Sequence, residues 1–222
     1  MRTRKTSLKY VAIFAAAASL ISASALAQTI VYDNSSTPVA GGTGTGDNPV
    51  GGETTLELGD VVSFAGGPTV LNNFSLEYFV NGTATVQGFL WAMDGTSGQP
   101  GTLLYSTAPS GPTSGQNTFS PPSGFTLAVP GTIAWTVRFA GVDPGESAGL
   151  LFYAGPDIGS SPTFNGADYY YRHNTGGSWD VLTTGLVDNL GAQFVAVPEP
   201  STWALLLGGL TTFGFMVRRR KA

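Results

Sequence analysis

One pentapeptide has the spacing of an activated nucleophile. Gly145-Glu146-Ser147-Ala148-Gly149 fits Gly-x-Ser-x-Gly, the pattern that lifts a serine hydroxyl onto a sharp strand-to-helix turn above a parallel sheet. Such a serine needs a base. The chain has a single histidine, His173, which would have to work with Asp157 or Asp168. The surroundings argue against this chemistry. The pentapeptide follows Asp143-Pro144 and joins two strand-like runs, and no Gly-rich oxyanion loop precedes it. It reads as a hairpin connection, so no catalytic residue is assigned and the chain is expected not to be an enzyme.

Metal chemistry is similarly thin. With no cysteine, thiolate zinc sites and thiol catalysis are excluded, and one histidine cannot furnish a typical zinc ligand set. Asp94, Asp143, Asp157, Asp168, Asp180 and Asp188 fall in or near turns. Carboxylates with loop carbonyls can hold Ca²⁺, but none of these has the spacing of a recognised calcium loop. No cofactor is assigned, with Ca²⁺ kept as an alternative. Aromatic residues are the other candidates. Trp91, Trp179 and one of the Tyr169–Tyr171 run, Tyr170, could stack on sugar rings. Trp135 lies on the apolar face of its segment and reads as core. Trp91 and Trp179 are the tryptophans expected to be exposed, with ordinary packing as the competing reading.

A different chemistry, peptide-bond processing, is written into the end of the chain. Pro198-Glu199-Pro200 precedes an apolar run from Trp203 to Val217, and Arg218, Arg219, Arg220 and Lys221 follow it. The prolines hold the backbone extended and stop a helix from growing backwards, which suits a segment laid in a protease cleft. The apolar run can enter a bilayer. The cationic cluster acts as a membrane stop and stays cytoplasmic. At 15 residues the run spans roughly 22 Å as a helix, less than a hydrocarbon core of about 30 Å. Gly208, Gly209 and Gly214 weaken it further. A short, temporary insertion fits better than a permanent anchor.

The order of these three blocks closely resembles the sorting signal of PEP-CTERM proteins. That resemblance covers about 25 residues and rests on Pro198-Glu199-Pro200, the following Ser201-Thr202, the Gly-interrupted apolar run and the basic end. It implies an exported protein whose partners are the general export machinery and exosortase, a membrane-embedded transpeptidase-like enzyme. It also implies transient inner-membrane insertion, cleavage near Pro198-Glu199-Pro200, and release or attachment into a surface matrix rich in exopolysaccharide. The body resembles such proteins more loosely, through Tyr32-Asp33-Asn34, the loop from Asp94-Gly95 to Pro100-Gly101, and the runs from Pro130 to Val137 and Ala148 to Tyr153.

The other end agrees. Arg2, Arg4, Lys5 and Lys9 form a positive flank, Tyr10 to Ile21 is apolar, and Ala25-Leu26-Ala27 is a small-x-small cleavage site. Residues 1–27 are expected to be a signal peptide removed before Gln28. Both ends would then face the cytoplasm while residues 28–197 are translocated. Eight of the ten basic residues lie in the two ends; Arg138 and Arg172 alone remain against thirteen carboxylates, a net charge of −11. Such a body repels phosphate backbones, so nucleic acid is not an expected partner.

With 31 Gly and 14 Pro, the body favours short strands and many turns over long helices. Strands are expected at Gln28–Asn34, Val61–Ala65, Asn73–Val80, Thr83–Met93, Leu103–Ser106, Phe125–Val129, Thr132–Val142, Gly149–Ala154, Ala167–Asn174 and Ala192–Val197. Val39–Gly52 is read as a mobile Gly-rich loop, and Pro109–Pro122 as a polar connection. Asn81-Gly82 is expected to close a tight hairpin between its flanking strands. Gly149–Ala154, apolar on both faces, is expected to be central and covered. The expected fold is all-β: one antiparallel β-sandwich over residues 28–197, jelly-roll-like, between an N-terminal signal helix and a short C-terminal hydrophobic helix in the 198–222 sorting signal.

Overall fold

The computed structural model describes residues 28–35, 55–153, 155–162, 169–173, 177–182, 189–197 and 209. The expected signal peptide, the Val39–Gly52 loop and nearly all of the sorting signal lie outside them, as do the helices expected there. Ile30–Glu199 groups as one unit apart from the chain ends. Fourteen strands occur among the described residues: β1 Thr29–Asp33, β2 Thr55–Ser63, β3 Thr69–Asn81, β4 Thr85–Ala92, β5 Leu103–Ser106, β6 Gly115–Phe119, β7 Leu127–Val129, β8 Thr132–Ala140, β9 Ser147–Leu150, β10 Phe152–Tyr153, β11 Tyr169–His173, β12 Asp180–Leu182, β13 Asn189–Leu190 and β14 Ala192–Val197. A single turn of 3₁₀ helix, Thr96–Gly98, sits in the loop after β4.

The body is all-β and antiparallel. One six-stranded sheet has the order β1-β14-β3-β6, with β7 and β9 also paired to β3; a second has the order β12-β11-β2-β8-β4-β5; β10 and β13 form a two-stranded ladder. β8 shows why these residues form strands. Ile133, Trp135, Val137 and Phe139 alternate onto one face and are fully buried in the main core. Ala134, Thr136 and Arg138 take the other face, the period-two consequence of a pleated backbone. In the first sheet, Phe74, Leu76, Tyr78 and Val80 of β3 and Phe194 of β14 join the same core. Tyr78 meets Phe139 across it, ring centroids 6.3 Å apart.

The expected Asn81-Gly82 hairpin does not form. β3 pairs with β14, β6, β7 and β9, whereas β4 pairs with β5 and β8 in the other sheet. Gly82 does take the positive φ, +125°, that the dipeptide suggests, but it turns the chain from one sheet to the other. β3 and β4 each carry an apolar row for the core, and crossing over lets both rows reach it. The connection from β8 to β9 is also a crossing between sheets and not the hairpin expected at Gly145–Gly149. Its turn is closed by the Glu146 N–H donating to the Asp143 carbonyl at 3.0 Å, with Gly145 at φ +92°.

Three further expectations are revised. Gly149–Ala154 is not one central strand: β9 pairs with β3 and β10 with β13. The Pro109–Pro122 connection contains β6, whose Gln-Asn-Thr run lacks an apolar period and is held by its ladder to β3. The second strand begins at Thr55, six residues before the expected Val61.

Candidate functional site

The outer face of the second sheet is built in cross-strand rows. Arg172 of β11 lies opposite Glu57 of β2, which lies opposite Arg138 of β8, which lies opposite Gln87 of β4. The next row is Tyr170, Gly59, Thr136 and Phe89. The third places Val61, Ala134 and Trp91 side by side. Gly59 is required at its place: a Cβ there would fall 2.6 Å from Thr136 Cα and Cγ2.

Glu57 is the hub, with 1% exposure. Its Oε2 accepts from Nε and Nη2 of Arg138 at 3.1 and 2.8 Å, and from Nε and Nη2 of Arg172 at 3.1 and 2.9 Å. Its Oε1 accepts from the Thr136 hydroxyl at 2.6 Å, and that hydroxyl oxygen accepts from Trp91 Nε1 at 2.9 Å. Such charge-assisted bonds are the strong ones, and they offset part of the cost of drying three charges. Aromatic rings complete the site. The Arg138 guanidinium lies 4.3 Å from the Phe89 ring centroid; that of Arg172 lies 4.2 Å from Trp179 and 5.0 Å from Trp91. These are cation–π distances.

This face gathers the three aromatic residues singled out in the sequence. Trp179 meets Trp91 edge-on at 5.8 Å and Tyr170 at 6.5 Å. Trp91 is not the exposed ring expected of it: it is buried, stacked with Phe89 and bonded through Nε1. Tyr170 is also buried, and burial raises its phenol pKa. Trp179 alone of the three is partly exposed. Sequence reasoning missed Glu57, Thr136 and the two arginines as a group. The available signal was that Arg138 and Arg172 are the only Lys or Arg left in the body once the ends are set aside.

The other sequence candidates stay apart. Ser147 opens β9, opposite Asn81 of β3, and a strand follows it where the nucleophile pattern would need a helix. His173 belongs to β11 in the other sheet, opposite Leu56. The His173 side chain and Asp168 lie outside the described residues. Asp94 caps its loop, its carboxylate accepting from Thr102 N–H and Oγ1–H at 2.7 Å each, which lowers its pKa. Among the described residues no group of three or more His, Asp or Glu could hold a metal; Asp188 lies outside them.

Ala25, Ala27, Pro198, Glu199, Pro200 and the Arg218–Lys221 stop also lie outside the described residues. What the structure does place is the strand that leads to them. β14 is hydrogen-bonded to β3 through Val197, opposite Val70, so the ladder runs up to the residue before Pro198. Among the described residues no helix is long and apolar enough to cross a membrane.

An antiparallel all-β body that runs without a linker into a Pro-Glu-Pro, apolar and basic tail defines a class: a protein carrying a C-terminal sorting signal. Residues 196–221 match the PEP-CTERM protein-sorting motif family. The motif marks the chain as exported, directed to the cell surface, with exosortase as its processing partner. No curated protein and no solved structure matches the chain.

Proposed function

We propose that the chain is a non-catalytic surface or matrix protein, made as a precursor and finished by cleavage at both ends. Residues 1–27 direct export, residues 28–197 form the mature β-sandwich, and residues 198–222 insert transiently in the inner membrane. The apolar run and its basic stop hold the precursor while exosortase cuts near Pro198-Glu199-Pro200. The mature body then joins or enters an exopolysaccharide-rich matrix. The observation that carries this reading is the match of residues 196–221 to the PEP-CTERM protein-sorting motif. Intact-mass measurement of the protein recovered from cells that possess exosortase tests it. A product lacking residues 1–27 and ending near Pro198–Pro200 is expected. A full-length chain in the cytosol overturns it.

A second reading, a carbohydrate-binding module of that matrix, is favoured by the partly exposed Trp179 ring on the outer sheet face. Affinity electrophoresis in matrix polysaccharide tests it. Retardation that disappears in Trp179→Ala supports it, and unretarded migration of the wild type removes it.

A further inference from the structure

The arginine pair on the second sheet carries more positive charge than the described outer-face rows answer. Two guanidiniums share one carboxylate, and both bind the same oxygen, Oε2 of Glu57. The three described outer-face rows, running through Glu57, Thr136 and Ala134, supply no second acid, and Asp180 of β12 is in register with Tyr171, outside them. Counted over the described rows, the charge is +1. Each arginine spends Nε and Nη2 on Glu57 and leaves Nη1 without a protein partner among the described residues. The Arg172 side chain is only 9% exposed and that of Arg138 17%. Those fractions are small but not zero, so each side chain keeps some surface in reach of solvent.

A nearly dry guanidinium with open donors is expensive unless something answers it. The aromatic rings solvate its faces, not its edge. What fits an open guanidinium edge is a planar anion with two acceptor oxygens. The geometry points to a binding site for a carboxylate at the Nη1 ends of Arg138 and Arg172, with the partly exposed Trp179 ring beside it to take the apolar side of the group that carries it. A sugar acid has both parts: a carboxylate and a C–H face. The net charge of −11 on the body does not forbid this, because at physiological salt charges more than about 8 Å away are largely screened. The site is independent of processing at the tail, and a neutral glycan would not satisfy it.

The test is titration of the full chain in neutral detergent with sodium glucuronate, sodium acetate or glucose at constant ionic strength, followed by tryptophan fluorescence and thermal midpoint. Glucuronate is expected to change both saturably and glucose to change neither. Equal affinity for acetate would identify the ligand as any small carboxylate; much weaker acetate would identify a sugar acid. Arg172→Gln is expected to weaken glucuronate by about tenfold or more, the worth of a charge-assisted hydrogen bond. Arg138→Lys, which keeps the charge on Glu57 but loses the planar fork, serves if Arg172→Gln does not fold, and should weaken glucuronate binding as well. No saturable response of the wild type to either acid, or equal responses to glucuronate and glucose, overturns the inference. So does undiminished glucuronate affinity in a folded variant.

Discussion

Glu57 Oε2 accepts from both arginines, and this makes one carboxylate answerable for two cations, Arg172 buried and Arg138 half-buried. Removing it leaves both guanidiniums unpaired. Glu57→Ala is expected to destabilise the body by about 3–5 kcal/mol, the cost of stripping one partner from a buried pair, read as a lower urea midpoint at unchanged slope. Trp91→Phe keeps the ring stack on Phe89 and loses only the Nε1–H donated to Thr136. It should cost about 1 kcal/mol by the same measurement. The difference between the two variants separates the charge hub from its neutral support. None of this was legible in the sequence. Alternation puts Arg138 on the outer face of β8, but nothing local says that Glu57, 81 positions away, lies opposite it. The pairing is a property of sheet order, which a single sequence does not encode in any one stretch.

At the scale of elements, two of the crossings between the sheets, β3–β4 and β8–β9, are tied to each other by one side chain. Glu146, in the β8–β9 crossing, accepts the N–H of Thr83 in the β3–β4 crossing at 2.8 Å and the N–H of Asp143 at 3.1 Å. Its carboxyl is held below the usual carboxylate range, first by the Asp143 N–H and then by that of Thr83. Because the folded value lies below the unfolded one, the contribution is complete above the unfolded pKa of about 4.3 and fades as pH falls through the folded value. Glu146→Gln should therefore be less stable than wild type at neutral pH, with the gap closing in acid; urea unfolding from neutral to strongly acidic pH reads this directly. A gap independent of pH would assign the contact to shape alone. The same two crossings mark where sequence patterning stopped. β5 and β14 have their expected limits, and the inward row of β8 is the expected one, because strict alternation or a bounded apolar run declares them. Asn81-Gly82 declares a turn but not its partner. The dipeptide fits a hairpin, and only the need of two apolar rows to face each other across the core makes it a bridge between sheets.

For the molecule as a whole, the decisive fact is where the body stops. β14 lies between β1 and β3, and its Ala192, Phe194 and Ala196 are buried in the main core. The sorting motif begins at residue 196, inside this strand. The last strand is thus shared by the fold and the signal, and the processing enzyme meets a chain whose ladder persists to Val197. Losing the Phe194 side chain alone would cost about 3–5 kcal/mol, against a typical total stability of about 5–15 kcal/mol. A product cut ahead of Ala192 also forfeits the ladder to β3. It should not stay folded. A chain ending after Val197 keeps every β14–β3 pair and should unfold cooperatively in urea. The pair of truncations, one ending at Gly191 and one at Val197, expressed with residues 1–27 in place and recovered after export, checks this by limited proteolysis. The longer is expected to resist and the shorter to be digested. Equal resistance would show that β14 belongs to the signal and not to the fold, and would move the permissible cut into the strand. The expected contrast instead confines the cut to the C-terminal side of Val197, where Pro198 and Pro200 have no N–H to give a ladder.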